Sequence, residues 1–131
     1  MPLNNKTILV TGGTGSFGQK FAEIVSKKYN PKAIRIFSRG EFLQYQMAQK
    51  FANHAPESFR FFIGDVRDQE RLSRAMNGAD IVIHAAALKH ILIAEYNPME
   101  AVKTNILGTM NVINAALDNN VEKVMLISTD K

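Results

Sequence analysis

Glycines at a set spacing are the residues of this chain best placed to do chemistry. Thr11-Gly12-Gly13-Thr14-Gly15-Ser16-Phe17-Gly18 follows the short apolar run Thr7-Ile8-Leu9-Val10 and opens a helix-like segment from Gln19 to Lys28. Strand, glycine-rich turn and helix are the context a phosphate-cradling loop requires. Gly12 lets the chain turn sharply off the strand, Gly15 leaves the backbone open to a pyrophosphate, and Gly18 lets the helix pack closely. The first N–H groups of a helix lack intrahelical partners, so they and the helix dipole favour an anion. In this loop that places Thr14, Gly15, Ser16 and Phe17 beside the ligand. The plainer alternative is an ordinary tight turn between strand and helix.

Further candidates stand where other apolar runs end. Ser38-Arg39 closes the run from Ala33, where a dinucleotide's adenosine ribose would lie. An acid there grips the 2′-hydroxyl of NAD, whereas an arginine suits the 2′-phosphate of NADP. With Ser38 and Arg39 at that end, and Glu41 only slightly later, NADP is favoured over NAD. Asp65-Val66 follows the run from Phe59 to Ile63. The Asp65 carboxylate can accept from the adenine amine while Val66 covers the ring, or Asp65 can simply form a turn with its own backbone. Ala85-Ala86-Ala87 offers small side chains under the middle of a cofactor, and Lys89 and His90 follow, His90 within reach of a substrate phosphate or bonded to backbone. His84 reads as a strand-end packing residue. No histidine or acid pair has metal-ligand spacing, so no metal is expected.

These residues need elements to hold them. Strands are expected at about Thr7–Thr11, Ala33–Ser38, Phe59–Ile63, Asp80–Ala85 and Val121–Ser128. Helices are expected over Ser16–Lys28, Glu41–Phe51, the segment capped by Asp68 and stopped by Gly78, and Pro98 to about Asn119 with Asn97 as its cap. The first helix carries Phe17, Phe21, Ile24 and Val25 on one face, and the last carries Val102, Ile106, Met110, Ile113 and Leu117. Phe42, Leu43 and Tyr45 on the second helix cannot all share one stripe, which leaves some of them exposed or meeting a partner. Alternating strands and helices predict an α/β, doubly wound parallel sheet of the Rossmann type, three layers deep, with strand order 3-2-1-4-5. Ligands then lie outside the strands' carboxyl ends, where the glycine loop, Arg39, Asp65, Ala85 and Thr129 converge.

Bulk composition narrows the classes. At 131 residues, 46% hydrophobic and 21% charged, the chain is one globular domain with a sizeable core. It holds no apolar run long enough to span a membrane and no signal-peptide pattern near Met1. It also has no cysteine. These features fit the cytoplasm. The net charge of +4 is scattered among acids with no basic stripe, which disfavours nucleic acid and suits a ligand bearing several phosphates.

Six segments together resemble the inverting UDP-N-acetylglucosamine 4,6-dehydratases, which are extended short-chain dehydrogenases of surface polysaccharide synthesis. They are residues 11–18 with their Gly-x-x-Gly-x-x-Gly spacing, 61–68 (Phe-Phe-Ile-Gly-Asp-Val-Arg-Asp), 84–90 (His-Ala-Ala-Ala-Leu-Lys-His), 94–98 (Ala-Glu-Tyr-Asn-Pro), 104–109 (Thr-Asn-Ile-Leu-Gly-Thr) and 128–131 (Ser-Thr-Asp-Lys). The resemblance implies a redox-neutral lyase: hydride leaves sugar C4 for NADP and returns at C6, with inversion at C5. It matches Lys131 to the base that takes the C5 proton, Asp130 to the acid that helps the C6 hydroxyl leave, and Thr129 to the hydroxyl that holds the C4 oxygen. The family's catalytic Tyr-x-x-x-Lys segment and sugar-nucleotide-binding region have no counterpart here. The resemblance therefore implies the nucleotide-binding half, with a UDP-sugar as partner of the full-length parent and no turnover by the half alone. The chain departs from the family at Gly40 and Leu43, where an acid and a lysine are usual, and at Leu92, where a proline is usual.

Two other readings stay open. One is a truncated or engineered scaffold that holds NADP weakly or not at all. The other is a homo-oligomer associating through Phe42, Leu43, Tyr45 and Leu92.

Overall fold

The computed structural model describes residues 3–52, 58–85 and 98–127, with side chains from 106 onward in the last of these segments. Its elements are β1 (Thr7–Thr11), α1 (Ser16–Lys28), β2 (Ala33–Ser38), α2 (Glu41–Lys50), β3 (Phe59–Ile63), α3 (Gln69–Met76), β4 (Ile81–His84), α4 (Pro98–Asp118) and β5 (Lys123–Leu126). The five strands form one parallel sheet in the order β3-β2-β1-β4-β5, as expected.

Period-two alternation assigns each strand residue to a helix layer. Ile8 and Val10 of β1, Ile34 and Ile36 of β2, and Ile81 and Ile83 of β4 face α1 and α2, where they meet Ala22, Val25, Met47 and Phe51. Leu9, Phe37 and Val82 face α3 and α4, where they meet Leu72, Met76, Val112 and Ala115. β1 is buried along its whole length because both layers cover it, which accounts for its unbroken apolar run. The chain moves outward from β1 through β2 to β3, then restarts at β4 on β1's other side. β1 and β4 therefore part their connections at their carboxyl ends, and a crevice opens there. Thr11 is level with both Phe37 and His84, so these strand ends are flush.

Helix boundaries follow local chemistry. The Asp68 side chain caps α3 by accepting from the Arg71 N–H at 3.1 Å. Asn77 ends that helix, and Gly78 then takes φ 83°, where a glycine is favoured. Arg35 of β2 adds a long-range contribution, its guanidinium donating to the Ala75 and Asn77 carbonyls at 2.8 and 2.6 Å.

The long helix differs from expectation. Ile106, Met110, Ile113 and Leu117 are exposed, Leu117 by 71%. The inward face is Asn111, Val112, Ala115 and Ala116. Both sets have helical spacing, and size decides between them: small residues let α4 lie close to the sheet and to α3. On α1 the same logic buries Ala22 and leaves Ile24 40% exposed. On α2, Phe42, Leu43 and Tyr45 are exposed, and Gln44 is buried with Met47. β5 is shorter than expected, and as an edge strand it leaves Met125 and Leu126 about half exposed.

Candidate functional site

The glycine loop leaves β1 at the crevice. Gly12 has φ 67°, a left-handed value that strains residues bearing a Cβ, and its N–H donates to the Phe37 carbonyl at 2.8 Å. The Gly12 carbonyl then accepts from the Gly15 N–H at 3.1 Å, closing the turn. Gly13 and Gly18 are demanded by packing. A Cβ on Gly18 would fall 2.3–2.5 Å from the Gly13 main chain, and one on Gly13 would fall 2.7 Å from Ile36 Cγ2.

Gly15 is different. Its φ of −77° and ψ of 179° suit any residue, and among the described residues a Cβ there would meet only the Gly12 carbonyl oxygen, at 3.4 Å. Among the described residues neither backbone strain nor packing accounts for glycine at this position, which leaves the main chain open to close approach. Two neighbours fit such an approach. The Thr14 hydroxyl is buried without a hydrogen-bond partner among the described residues, a costly state unless something else satisfies it. Helix α1 begins at Ser16 with no side-chain cap and no acid in its first turn, so the N–H groups of Ser16, Phe17 and Gly18 are left for an anion. The Phe17 ring turns inward, 6.1 Å from that of Phe21, so Phe17 offers the site its main chain. A diphosphate fits this donor set.

The neighbouring edge is built from β2 and β3. Ser38 is buried, and its hydroxyl accepts from Gln44 Nε2 at 2.9 Å, so it is turned toward α2. Arg39 is exposed, with Nη1 3.8 Å from Asp65 Oδ2. Asp65 Oδ1 accepts from the Arg67 N–H at 2.9 Å, which makes it the turn former considered above. The Arg67 guanidinium also grips the carboxylate from Nε and Nη2, the latter at 2.7 Å. Arg67 thereby holds the Asp65 carboxyl below its ordinary value, with Arg39 adding to the effect and partial burial opposing it. The cluster carries one acid against two arginines, a net positive corner. Val66 beside it is half-buried, pressed by Gly108 of α4, on which a Cβ would lie 2.9 Å from Val66 Cγ2.

At the end of β4, His84 Nδ1 lies 2.6 Å from the Thr11 hydroxyl, and the Ala85 N–H donates to the same hydroxyl at 3.1 Å. His84 is therefore a packing residue that also ties β4 to β1. Ala86, Ala87, Lys89, His90, Thr129, Asp130 and Lys131 lie outside the described residues. Among the described residues no group of histidines and acids could hold a metal, and no helix is long and apolar enough to cross a membrane. Sequence reasoning missed Gln44, Asn111 and Arg67. For Gln44 a signal existed: it precedes Met47 by three positions and Phe51 by seven, on one helical face.

Two outcomes follow from this geometry. Gly15→Ala should keep stability within about 1 kcal/mol, as at other helix N-caps, whereas Gly18→Ala should cost about 3 kcal/mol through overlap with the Gly13 main chain. Equal losses in urea denaturation would show that packing, not a ligand, demands Gly15. The second outcome concerns acid. Because the folded-state pKa of Asp65 is depressed, its stabilisation is complete above the ordinary value of 3.8 and is lost as pH falls through the lower folded value. The stability advantage of wild type over Asp65→Asn should be flat near neutrality and shrink only in acid, and an acid-denaturation series that leaves it constant would contradict the pairing.

Residues 8–131 match the model of the polysaccharide biosynthesis protein family. The chain is similar to the inverting UDP-N-acetylglucosamine 4,6-dehydratase of Campylobacter jejuni, 56% identical over 128 residues that make up 98% of this chain and 37% of that protein. It is similar in structure to Pen from Bacillus thuringiensis, with a TM-score of 0.87 and 42% identity, covering 96% of this chain and 38% of that one. It is also similar to UDP-glucose 4-epimerase from Bifidobacterium longum, solved with NAD+ and UDP, with a TM-score of 0.74 and 26% identity over 95% of this chain and 37% of that one. The chain thus spans little more than a third of the length of these relatives, and the uncapped helix, the open glycine and the parallel sheet that carries them sit within the matched stretch. It belongs to the polysaccharide biosynthesis protein family, as its Rossmann part.

Proposed function

We propose that this chain is the nicotinamide-dinucleotide-binding half of a redox-neutral sugar-nucleotide dehydratase, with NADP preferred. The observation that carries the reading is Gly15, a glycine that packing against the described residues does not require, flanked by a Thr14 hydroxyl with no hydrogen-bond partner among the described residues and by an uncapped helix N-terminus. The C. jejuni relative is a dehydratase by name, and the B. longum structure holds NAD+, which together support a nicotinamide cofactor and a nucleotide-sugar substrate.

The N–H groups of Ser16, Phe17 and Gly18 would bind the pyrophosphate, and the Thr14 hydroxyl would satisfy itself against the same ligand. Arg39, exposed beside a corner of net positive charge, would meet the ribose 2′-phosphate. Val66 would cover the adenine, and Ala85 and Ala87 would leave room for the cofactor's centre. When bound, the nicotinamide supplies hydride acceptance from the sugar and its later return. The remaining chemistry falls to side chains. Lys131 would take the C5 proton, Asp130 would give a proton to the departing C6 hydroxyl, and Thr129 would hold the C4 oxygen. The UDP-sugar would be bound by the full-length parent.

A second reading has its own observation. Phe42 and Tyr45 are 68% and 62% exposed on one helix, beside Leu43, and such apolar patches mark interfaces. A second copy of the chain would cover them.

Equilibrium titration separates NADP from NAD. Arg39→Ala should weaken NADP about tenfold and NAD much less, since a charge-assisted contact to the 2′-phosphate is lost only in the first. Equal losses would remove the 2′-phosphate assignment. For the second reading, sedimentation velocity at two concentrations should show a heavier species at the higher one, which Tyr45→Ser abolishes. A monomer throughout would end it.

A further inference from the structure

We infer that two buried carboxamides, Gln44 of α2 and Asn111 of α4, are positioning residues that hold the adenosine-facing edge of the site from opposite layers of the fold. The inference rests on the cofactor reading above and assigns its pocket a supporting frame.

Gln44 and Asn111 are 4% and 6% exposed. A buried carboxamide is costly unless its donors are used, and an apolar residue would fill the same space without that cost. Both side chains donate to one short stretch of chain, residues 62–66, and Gln44 donates to Ser38 as well. Gln44 Nε2 donates to the Phe62 carbonyl at 2.8 Å and to the Ser38 hydroxyl at 2.9 Å, joining the carboxyl ends of β2 and β3. Asn111 Nδ2 donates to the Val66 carbonyl at 2.8 Å, from the other face of the sheet. Between Phe62 and Val66 lie Ile63, Gly64 and Asp65.

The stretch is tight as well as tethered. A Cβ on Gly64 would fall 2.6 Å from the Phe37 ring and 2.9 Å from Arg71 Cγ. The Gly64 N–H donates to the Ser38 carbonyl at 2.9 Å. Arg39, the residue after Ser38, and Asp65, the residue after Gly64, are brought to 3.8 Å. Each carboxamide therefore controls the main chain next to a charged residue of the site without facing the ligand itself. A loop held at both ends loses little freedom on binding, which is how such groups raise affinity.

The test removes each donor at nearly constant volume. In Gln44→Met and Asn111→Leu, affinity for adenosine 2′,5′-bisphosphate, read by calorimetry, should fall about tenfold. Without ligand, amide exchange at Asp65, Val66 and Arg67 should speed up while the β1 and β4 amides keep their protection. Unchanged affinity and exchange in a folded variant would overturn the inference, as would loss of protection spread evenly over the sheet, which marks a merely structural role. Should either variant fail to fold, Asn111→Ser carries the same two readouts with less crowding. A wild-type chain that binds no adenosine phosphate would sink the cofactor reading, and the exchange experiment would still decide the role of the two carboxamides.

Discussion

Main chain touching main chain is the contact on which this structure depends. Gly18 of α1 rests on the Gly13 backbone at a distance that no Cβ could share, and Gly13 in turn rests on the Ile36 side chain of the neighbouring strand, where a Cβ would fall 2.7 Å from Cγ2. This stack draws the start of α1 down onto the carboxyl end of β1. Everything else at the edge is measured from there. A helix held a few ångströms further out would present the same N–H groups to water, where they contribute little. Held here, without a cap or an acid of its own, its N-terminus is a fixed positive pole above a crevice.

The rest of the edge is held by polar bonds rather than by shape. The Thr11 hydroxyl joins β1 to His84 and Ala85 of the next strand. Gln44 and Asn111 join the ends of β2 and β3 to the two helix layers. Apolar packing is nondirectional and sets how far apart the layers lie, whereas hydrogen bonds have direction and set which way a loop turns. The exposed cluster of Arg39, Asp65 and Arg67 then sits on a frame it does not have to stabilise. Its ion pairs, screened by solvent, contribute modestly to folding and chiefly shape the local charge.

Particular residues show why some of this was readable in advance. β1 begins and ends where its apolar run does, because a strand covered on both sides has no polar face to confuse the pattern, and β2 and β3 keep enough apolar residues around Arg35 and Arg60 to be read the same way. Asp68 was legible as a cap because capping is decided by the next three residues. α4 was misread because two helical stripes compete in it, and the bulkier one faces outward. Only the nearness of α3 and Val66 makes small residues the inward choice. Gln44 was missed because a polar side chain gives no inward signal of its own, yet its carboxamide has partners at Ser38 and at Phe62, the latter eighteen residues away.

The amino-acid sequence by itself determined the order and type of the elements, the doubly wound sheet, and the position of a glycine loop able to receive a phosphate. Those features depend on periodicity, turn chemistry and chain direction, all of which act over a few residues. Tertiary structure alone decided which glycines are held by packing, which face of α4 is inside, and that Asp65 is gripped by Arg67 while Ser38 turns toward α2. Each of these depends on how close a neighbour comes across a gap of a few ångströms, whether it is two residues away, as Arg67 is from Asp65, or far along the chain, as Ile36 is from Gly13, and spacing in the sequence does not give that distance.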